Sequence, residues 1–298
     1  MSTLTPPRAR SRAYAALLGL LAVVAGDAAV AASTGRGCFR VLDGTLYAQK
    51  PDLTAHRIER AWVPHVWNLW RDDEPRSELP RREAVRDWVR AIPAGTGILV
   101  VDLEWWPTRG TRAELEASSE RYVQLLEWIR ADGYAGLLGY YAVPPVSDYW
   151  RAIRDATSSE HRAWKSDNDA FAPLALAVDA LFPSLYTFYE DADAWQRVAI
   201  ANIREARRLA RGRPVYPFIW PQYHDSNRAL GLRPVPAEYW RRQLRVLREH
   251  ADGVVIWGGW DFERNRPAAW DPDAAWWRVT REFIAQTDVC APTGSIPR

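Results

Sequence analysis

The chain of 298 residues has little of several residue types: two cysteines, one methionine and five histidines. The histidines show no metal-ligand spacing, and two distant cysteines do not make a zinc site. The sequence also lacks a Gly-x-Ser-x-Gly elbow, a Walker loop and a dinucleotide-binding fingerprint. We therefore expect neither a metal site nor a bound cofactor.

No apolar run is long enough to cross a bilayer core; the longest one near the start covers residues 13–26. Three arginines precede it, Asp27 interrupts it, and Ala-Val-Ala follows at residues 29–31. This arrangement is typical of a secretory signal peptide, and the alternative is a membrane anchor. We predict that residues 1–31 are a signal peptide and that the protein is secreted, either extracellular or periplasmic.

The chain has little excess charge of either sign, with a formal net charge of +2. Removal of residues 1–31 takes away three arginines and one aspartate, which brings the charge to 0. A mature chain without net positive charge has no general attraction to nucleic acid or to an anionic membrane. Neither is therefore an expected partner, although a locally basic cleft stays compatible with this composition.

The two cysteines, Cys38 and Cys290, stand near opposite ends of the mature chain. In an exported protein such a pair is more often bridged than free, and the alternative is two free thiols. A bridge would bring the two ends of the domain together, as a closed barrel requires.

Short apolar runs alternate with longer amphipathic ones over the rest of the chain, which favours a single (β/α) barrel domain at residues 32–290. The predicted strands are residues 39–48, 61–70, 97–104, 135–143, 180–188, 214–223 and 252–259. The predicted helices are residues 112–130, 192–211, 237–250 and 272–285. The fold class is thus α/β, a TIM-type barrel of seven to eight strands, followed by a flexible tail at residues 291–298.

Two acids, Asp102 and Glu104, end the apolar strand at residues 97–104. Side chains two apart on a strand point to the same face, so both carboxylates should face one cavity at the strand's carboxyl end. Two adjacent acids do not ionise independently, and a carboxyl with a raised pKa is suited to protonating a glycosidic oxygen. The alternative role is a strand-end ion pair with nearby arginines.

Aromatic residues are concentrated at the predicted strand ends, in a chain with 17 tryptophans. Such side chains stack on sugar rings, although core packing is the alternative role for each of them. The candidate substrate-binding residues are Tyr141, Tyr186, Tyr223, Trp257, Trp260 and Asp225. For His224, beside Asp225, both a substrate contact and a loop role stay open.

Several segments together resemble the hyaluronidases of animal tissues and venoms, over roughly two thirds of the chain. The matching segments are Gly-Ile-Leu-Val-Val-Asp-Leu-Glu-Trp-Trp-Pro at 97–107, Gly-Tyr-Tyr-Ala-Val-Pro at 139–144, Leu-Phe-Pro-Ser-Leu-Tyr at 181–186, Val-Tyr-Pro-Phe-Ile-Trp-Pro-Gln-Tyr-His-Asp at 215–225 and Asp-Gly-Val-Val-Ile-Trp-Gly at 252–258. The resemblance implies a distorted barrel and a retaining mechanism assisted by the substrate's own acetamido group.

The resemblance also implies residue roles. Glu104 matches the proton donor, and Asp102 matches the acid that orients the 2-acetamido group. Tyr186 and Tyr223 match tyrosines that line the acetamido pocket, and Trp257 matches its wall. The two cysteines resemble the family's terminal disulfide.

This chain departs from the family at residues 39–95, which are shorter, and at residues 146–150, where family members carry cysteine-bearing inserts. The expected substrate is therefore an N-acetylhexosamine-containing polysaccharide, either hyaluronan or a related glycan.

Two alternative functions stay open. One is a two-carboxylate glycosidase that pairs Glu104 with Glu190 or Asp261. The other is a secreted polysaccharide-binding barrel without turnover.

Overall fold

The computed structural model describes residues 37–292. The predicted signal peptide and residues 293–298 of the predicted tail lie outside this part of the chain, so both stay predictions. The strands are β1 (Arg40–Thr45), β2 (Ile58–Arg60), β3 (Ile98–Val101), β4 (Leu137–Tyr140), β5 (Phe218–Ile219), β6 (Gly253–Gly258), β7 (Trp260–Asp261) and β8 (Arg266–Pro267). The helices are α1 (Arg82–Arg90), α2 (Arg112–Ala131), α3 (Ser159–Ala170), α4 (Ala172–Ala177), α5 (Ala192–Ala210), α6 (Ala237–His250) and α7 (Ala275–Ala285).

Parallel pairing connects the first six strands and one irregular segment into a ring. One sheet has the order β2-β1-β6-β5, and β3 pairs with β4. Isolated parallel bridges join these two sheets, directly on one side and through the segment at residues 181–187 on the other. The bridging pairs are Trp62 with Leu99, Tyr141 with Phe182, and Ser184 with Phe218. The ring has seven parallel segments with helices between them, and the predicted (β/α) barrel is confirmed.

The barrel is least regular at the predicted strands 180–188 and 214–223. The first contains only isolated bridges, and the second contains the two-residue β5. Proline lacks the N–H that a strand ladder needs, and Pro183, Pro217 and Pro221 interrupt these two segments. The predicted strand 61–70 also differs from the observed structure. Strand pairing begins earlier, in β2, and a 3-10 turn occupies Trp67–Leu69.

The helices follow the capping signals of the sequence. Helix α2 begins with a capping box in which Thr111 and Glu114 exchange hydrogen bonds. Helix α5 begins at the predicted cap, where the Asp191 side chain accepts a hydrogen bond from the Ala194 N–H. Helices α2, α5 and α6 fall within one residue of the predicted bounds, whereas α7 begins three residues later. Helices α1, α3 and α4 were not predicted.

Alternation along the strands divides the core into two layers. On β3, Ile98 and Val100 belong to the apolar cluster inside the barrel. Leu99, Val101 and the following Leu103 belong to the cluster between the barrel and the helices. The residues two and four positions after Val100 are Asp102 and Glu104, so the inward face of β3 continues into the two acids.

A disulfide between Cys38 and Cys290 joins the two ends of the domain, as predicted, with an S–S distance of 2.06 Å. Beside it, the Phe39 N–H donates to the Asp288 carbonyl, and the Cys290 N–H donates to the Phe39 carbonyl. Cys38 lies just before β1, at the amino end of the strands. Among residues 37–292, no helix is both long enough and apolar enough to span a bilayer.

Candidate active site

A cavity of about 420 Å³ opens at the carboxyl ends of the strands, and we call it the central cavity. Asp102 and Glu104 both line it. Between them, Leu103 points into the outer apolar layer, and its carbonyl accepts a hydrogen bond from the Tyr122 hydroxyl at 3.0 Å. Extended backbone therefore places the two carboxylates on the same side of the barrel wall, at the end where barrel enzymes carry out their chemistry.

The electrostatics of this pair favour a protonated Glu104. The cavity walls partly desolvate its carboxyl, and the nearby Asp102 charge adds to this effect, so both raise the pKa of Glu104. The Asp102 carboxylate has a further partner, because its Oδ2 lies 2.8 Å from His65 Nδ1. That hydrogen bond raises the pKa of His65. The charge on His65 in turn lowers the pKa of Glu104, against the two larger effects.

Aromatic side chains form the inner wall of the central cavity. The ring centroids of Tyr186 lie 5.7 Å from Tyr141 and 5.8 Å from Trp257, and Trp220 lies 4.9 Å from Trp257. The Tyr141 hydroxyl is 2.9 Å from Ser184 Oγ. Burial raises the pKa of both Tyr141 and Tyr186, so their hydroxyls stay protonated and can donate hydrogen bonds.

The outer rim of the central cavity is apolar and open to solvent. Trp67 is 63% exposed and Phe262 is 42% exposed, and both line the cavity together with Trp260. Large apolar side chains exposed at the edge of a cleft are typical of ligand-binding surfaces. An open rim of this kind suits a polymer that passes through the site better than a small molecule enclosed by it.

Most of the predicted substrate-binding residues meet at this cavity. Tyr141, Tyr186, Trp257, Trp260 and Asp225 all line it. These side chains come from several barrel segments that are distant in the sequence. The barrel therefore brings together residues that the sequence could assign only to separate strand ends.

Tyr223 is a correction to the predicted site. It is buried outside the central cavity, in the apolar cluster between the barrel and helices α5, α6 and α7. Trp220 and His224 line the cavity instead. Tyr223 follows Trp220 by an odd number of residues and precedes His224 by one, so alternation turns it to the opposite face. The segment that carries the resemblance at 215–225 reaches the cavity through Trp220 and His224 rather than through Tyr223.

The cavity residues that were not predicted include His65, Trp67 and Trp220. His65 and Trp67 follow Val63 at intervals of two, and all three line the cavity. The same alternation that connected Asp102 with Glu104 would therefore have found them. The pairing of His65 with Asp102 depends on the register between two strands, which a single strand pattern does not contain.

The acids proposed as alternative partners of Glu104 do not line the central cavity. Glu190 is exposed. Asp261 lines a neighbouring groove, and its carboxylate pairs with Arg264 at 3.0 Å, which lowers the pKa of Asp261. A third acid at the cavity is Asp225, which lies 3.1 Å from His224 Nδ1. In the described part of the chain, no group of three or more His, Cys, Asp or Glu side chains is arranged to hold a metal ion.

Solved structures with this fold include two of bee venom hyaluronidase. The first has a TM-score of 0.59 at 15% identity and covers 84% of this chain and 98% of the bee protein. The second, a complex with a hyaluronic acid tetramer, has a TM-score of 0.58 at 17% identity. It covers 84% of this chain and 97% of the bee protein. No protein-family model matches the sequence, and neither does any curated protein sequence.

A modular endo-β-1,4-mannanase from Cellulomonas fimi is also similar in structure, with a TM-score of 0.52 at 16% identity. The match covers 83% of this chain and 58% of the mannanase. The chain therefore has the (β/α) barrel fold of these glycoside hydrolases. At this level of identity the similarity establishes the fold, and the function has to be argued from the side chains of the site.

Proposed function

We propose that the protein is a secreted endo-glycosidase that cleaves N-acetylhexosamine linkages in a polysaccharide, either hyaluronan or a related glycan. The observation that carries the proposal is the pair of Asp102 and Glu104 on one face of the barrel wall, inside an open cavity lined by aromatic rings. A polysaccharide-binding protein without turnover has no need of two adjacent acids, one of them with a raised pKa.

The proposed reaction has two steps and needs no protein nucleophile. First, Glu104 gives its proton to the glycosidic oxygen as the C–O bond breaks. The carbonyl oxygen of the substrate's 2-acetamido group attacks the anomeric carbon, and an oxazolinium ion forms. In the second step, the Glu104 carboxylate takes a proton from water, whose oxygen attacks the same carbon and restores the acetamido group. The configuration at the anomeric carbon is retained.

Asp102 orients and stabilises the acetamido group in this scheme. Its carboxylate accepts the amide N–H and offsets the positive charge that develops on the oxazolinium ring. This requires Asp102 to be ionised while Glu104 is protonated. The His65 imidazole, whose pKa is raised by its hydrogen bond to Asp102, supplies a donor that orients this carboxylate beside Glu104.

We assign the wall of the acetamido pocket to Tyr141, Tyr186 and Trp257. All three rings line the cavity that holds the acids, and the two tyrosines supply uncharged hydrogen-bond donors. In this proposal Tyr141 has the role that the resemblance implied for Tyr223. The apolar faces of Tyr186 and Trp257 would contact the acetamido methyl group and exclude water from the cyclising amide.

Export is part of the proposal. A disulfide between Cys38 and Cys290 persists in an oxidising compartment, in agreement with the expected signal peptide.

The proposed partner is a polysaccharide, which the bee venom hyaluronidase structure with a hyaluronic acid tetramer also supports. Nucleic acid and membrane are not proposed partners.

A two-carboxylate glycosidase is the second candidate, and Asp225 is the observation that favours it. Asp225 is the remaining acid among the residues that line the central cavity, and it comes from a different barrel segment than Glu104. A retaining enzyme of that type would use Asp225 as its nucleophile. Asp225→Asn would then abolish turnover. The substrate-assisted route instead predicts that Asp225→Asn has a smaller effect, which is on substrate binding.

The function is tested with purified protein on hyaluronan, chondroitin, chitin and peptidoglycan. We expect release of new reducing ends from at least one of them. We also expect a thiazoline analogue of the N-acetylhexosamine to inhibit that reaction competitively, because it mimics the cyclised intermediate and transition-state-like ligands bind about 10²–10⁸-fold more tightly than substrate. Hydrolysis that the analogue does not inhibit would exclude the substrate-assisted route, and no hydrolysis of any polymer would exclude the proposed activity.

The interaction between His65 and the acids predicts a shift in pH dependence. Activity falls as pH rises through the pKa of Glu104, since the acid form is needed. Protonated His65 lowers that pKa, so His65→Gln, which removes the charge, should move the high-pH limb of kcat/KM to higher pH.

The matched control for this prediction is His224→Gln, which changes the second histidine of the same cavity. Burial lowers the pKa of His224, so this ring is neutral around neutral pH and adds no charge to the site. The position of the high-pH limb should therefore stay unchanged in this variant. A His65→Gln profile that coincides with the parent profile would contradict the proposed coupling.

A further inference from the structure

A second cavity, of about 630 Å³, lies beside the central one, and we call it the outer cavity. It is lined mainly by residues 147–151, by residues 184–189 and by helix α5. Tyr186 lines both cavities, so they share a wall. The volume is within the range of about 300–1,000 Å³ that is usual for ligand sites. The residues at 146–150 replace the cysteine-bearing inserts of the hyaluronidases that this sequence resembles.

Three residues that line the outer cavity each carry a buried polar atom that lacks a protein partner. Tyr149 Oη, Arg151 Nη2 and Asn202 Oδ1 make no hydrogen bond to any residue in the range 37–292. The Asn202 residue is 1% exposed, and its Nδ2 donates to the Val198 carbonyl at 2.9 Å, which leaves the oxygen free. Buried polar atoms are nearly always paired in folded proteins, so three unpaired ones around one cavity indicate a polar ligand.

The unpaired atoms have mixed hydrogen-bonding character. The guanidinium nitrogen donates, the amide oxygen accepts, and the phenol hydroxyl can do both. Hydroxyl groups on a sugar ring also both donate and accept, and they project from the ring in several directions. A pyranose ring therefore matches the donor and acceptor chemistry of these atoms, whereas a purely apolar ligand would leave them unpaired.

Exposed aromatic rings form the mouth of the outer cavity. Trp150 is 58% exposed and Tyr189 is 44% exposed, with their ring centroids 6.0 Å apart. Tyr149 supports both, at 5.9 Å from Trp150 and 5.5 Å from Tyr189. Rings that are held in place by other rings and keep one face open to solvent are suited to stacking against the C–H face of a sugar.

The charges at the outer cavity are balanced, which favours an uncharged ligand. Asp148 pairs with Arg109 at 3.1 Å and with Arg151 at 2.8 Å. Arg151 also pairs with Asp167 at 2.7 Å. Of these four side chains, Asp167 lies outside the cavity lining and the other three line it. Both lining arginines are paired with carboxylates, so neither is left as an unpaired cation that would attract a uronate or a sulfate group.

A path of aromatic rings connects the outer cavity with the acids. Phe188 lies 6.4 Å from Tyr189 and 4.4 Å from His224, and His224 lies 6.1 Å from Tyr186. Tyr186 and His224 line the central cavity with Glu104. One extended polymer could therefore contact rings along its whole course between the two cavities.

We propose that the outer cavity is a distal subsite that binds an uncharged pyranose ring of the polysaccharide whose linkage is cleaved at Glu104. The proposal rests on the proposed function for the identity of that chain. The subsite itself rests on the unpaired atoms, the aromatic mouth and the balanced charges. It adds binding free energy only for oligosaccharides long enough to occupy both cavities.

The test measures calorimetric affinity in a Glu104→Gln background, so that the ligands are not consumed. The probes are chitin and hyaluronan disaccharides, tetrasaccharides and hexasaccharides. Trp150→Ala removes the exposed ring, and Tyr149→Phe removes only an unpaired hydroxyl, so its thermal stability should match that of the parent. Leu176→Ala is the control for loss of an exposed apolar side chain elsewhere, on α4.

We expect the hexasaccharide of at least one series to bind more tightly than its disaccharide. Trp150→Ala and Tyr149→Phe should weaken hexasaccharide binding, the former by about tenfold, which corresponds to about 1.4 kcal/mol. The affinity of these two variants for the disaccharide should be unchanged, and so should the affinity of Leu176→Ala for the hexasaccharide. Unaltered hexasaccharide affinity in both variants, or no dependence on length in either series, would overturn the subsite. Length-dependent binding by a parent chain that releases no reducing ends would overturn the proposed function and leave the subsite in place.

Discussion

Glu104→Gln should lower kcat by about 10²–10⁴-fold, the usual contribution of a positioned acid, while the fold stays intact. The amide keeps the volume of the carboxyl group and loses only its transferable proton. Glu104 lies at the open cavity rather than in the packed core, so the thermal unfolding temperature should change little. Initial rates of reducing-end release, together with thermal unfolding of the same preparations, measure both quantities.

The matched control is Glu190→Gln, which makes the same chemical change at an exposed acid outside the central cavity. Its kcat should equal that of the parent. Glu104→Gln activity within about tenfold of the parent would remove Glu104 as the acid. A large loss in Glu190→Gln would instead favour the two-carboxylate mechanism that the sequence left open.

Replacement of both Cys38 and Cys290 by alanine should lower the free energy of unfolding by about 5 kcal/mol. The bridge joins residues 252 positions apart, and a cross-link over so long a loop removes much of the unfolded chain's conformational entropy. Activity below the unfolding temperature should be retained, because the bridge lies at the amino end of the strands and the acids lie at the carboxyl end.

Denaturant unfolding with and without a thiol reductant measures this effect. Reductant should destabilise the parent by a similar amount and leave the double variant unchanged. A parent whose unfolding midpoint does not respond to complete reduction, verified by thiol titration, would show that the bridge contributes little to stability. Partial structure in the reduced, unfolded chain is the physical reason why such a bridge can contribute less than the loop length predicts.

The sequence predicted best those features that depend on local periodicity. Helices α2, α5 and α6 combine an apolar stripe with clear end signals, and their observed bounds are within a residue of the predicted ones. Helix α1 has an apolar stripe of Val85, Trp88 and Val89, but it spans only nine residues and has no side-chain N-cap. Helix α3 has a polar sequence over most of its length, and α4 has six residues, so their stability comes from packing against neighbours.

In the site, too, the features that depend on local periodicity were predicted better than the others. Strand alternation in the sequence alone placed Asp102 and Glu104 on one face, because neighbouring residues on extended backbone point in opposite directions. Tyr223 was misplaced because alternation was not applied within its segment, where prolines also break the strand pattern. Trp220 and His224 are the residues that alternation turns toward the cavity there.

The sequence by itself determined the fold class, the acid pair and the two cysteines that pair, since local spacing and redox chemistry are properties of the chain alone. Only the tertiary structure showed that His65 contacts Asp102 and that the outer cavity joins the central one through Tyr186. These contacts depend on the register between strands and on how loops from different parts of the barrel pack together. Register and loop packing follow from the closed ring as a whole, and no single segment of the sequence specifies them.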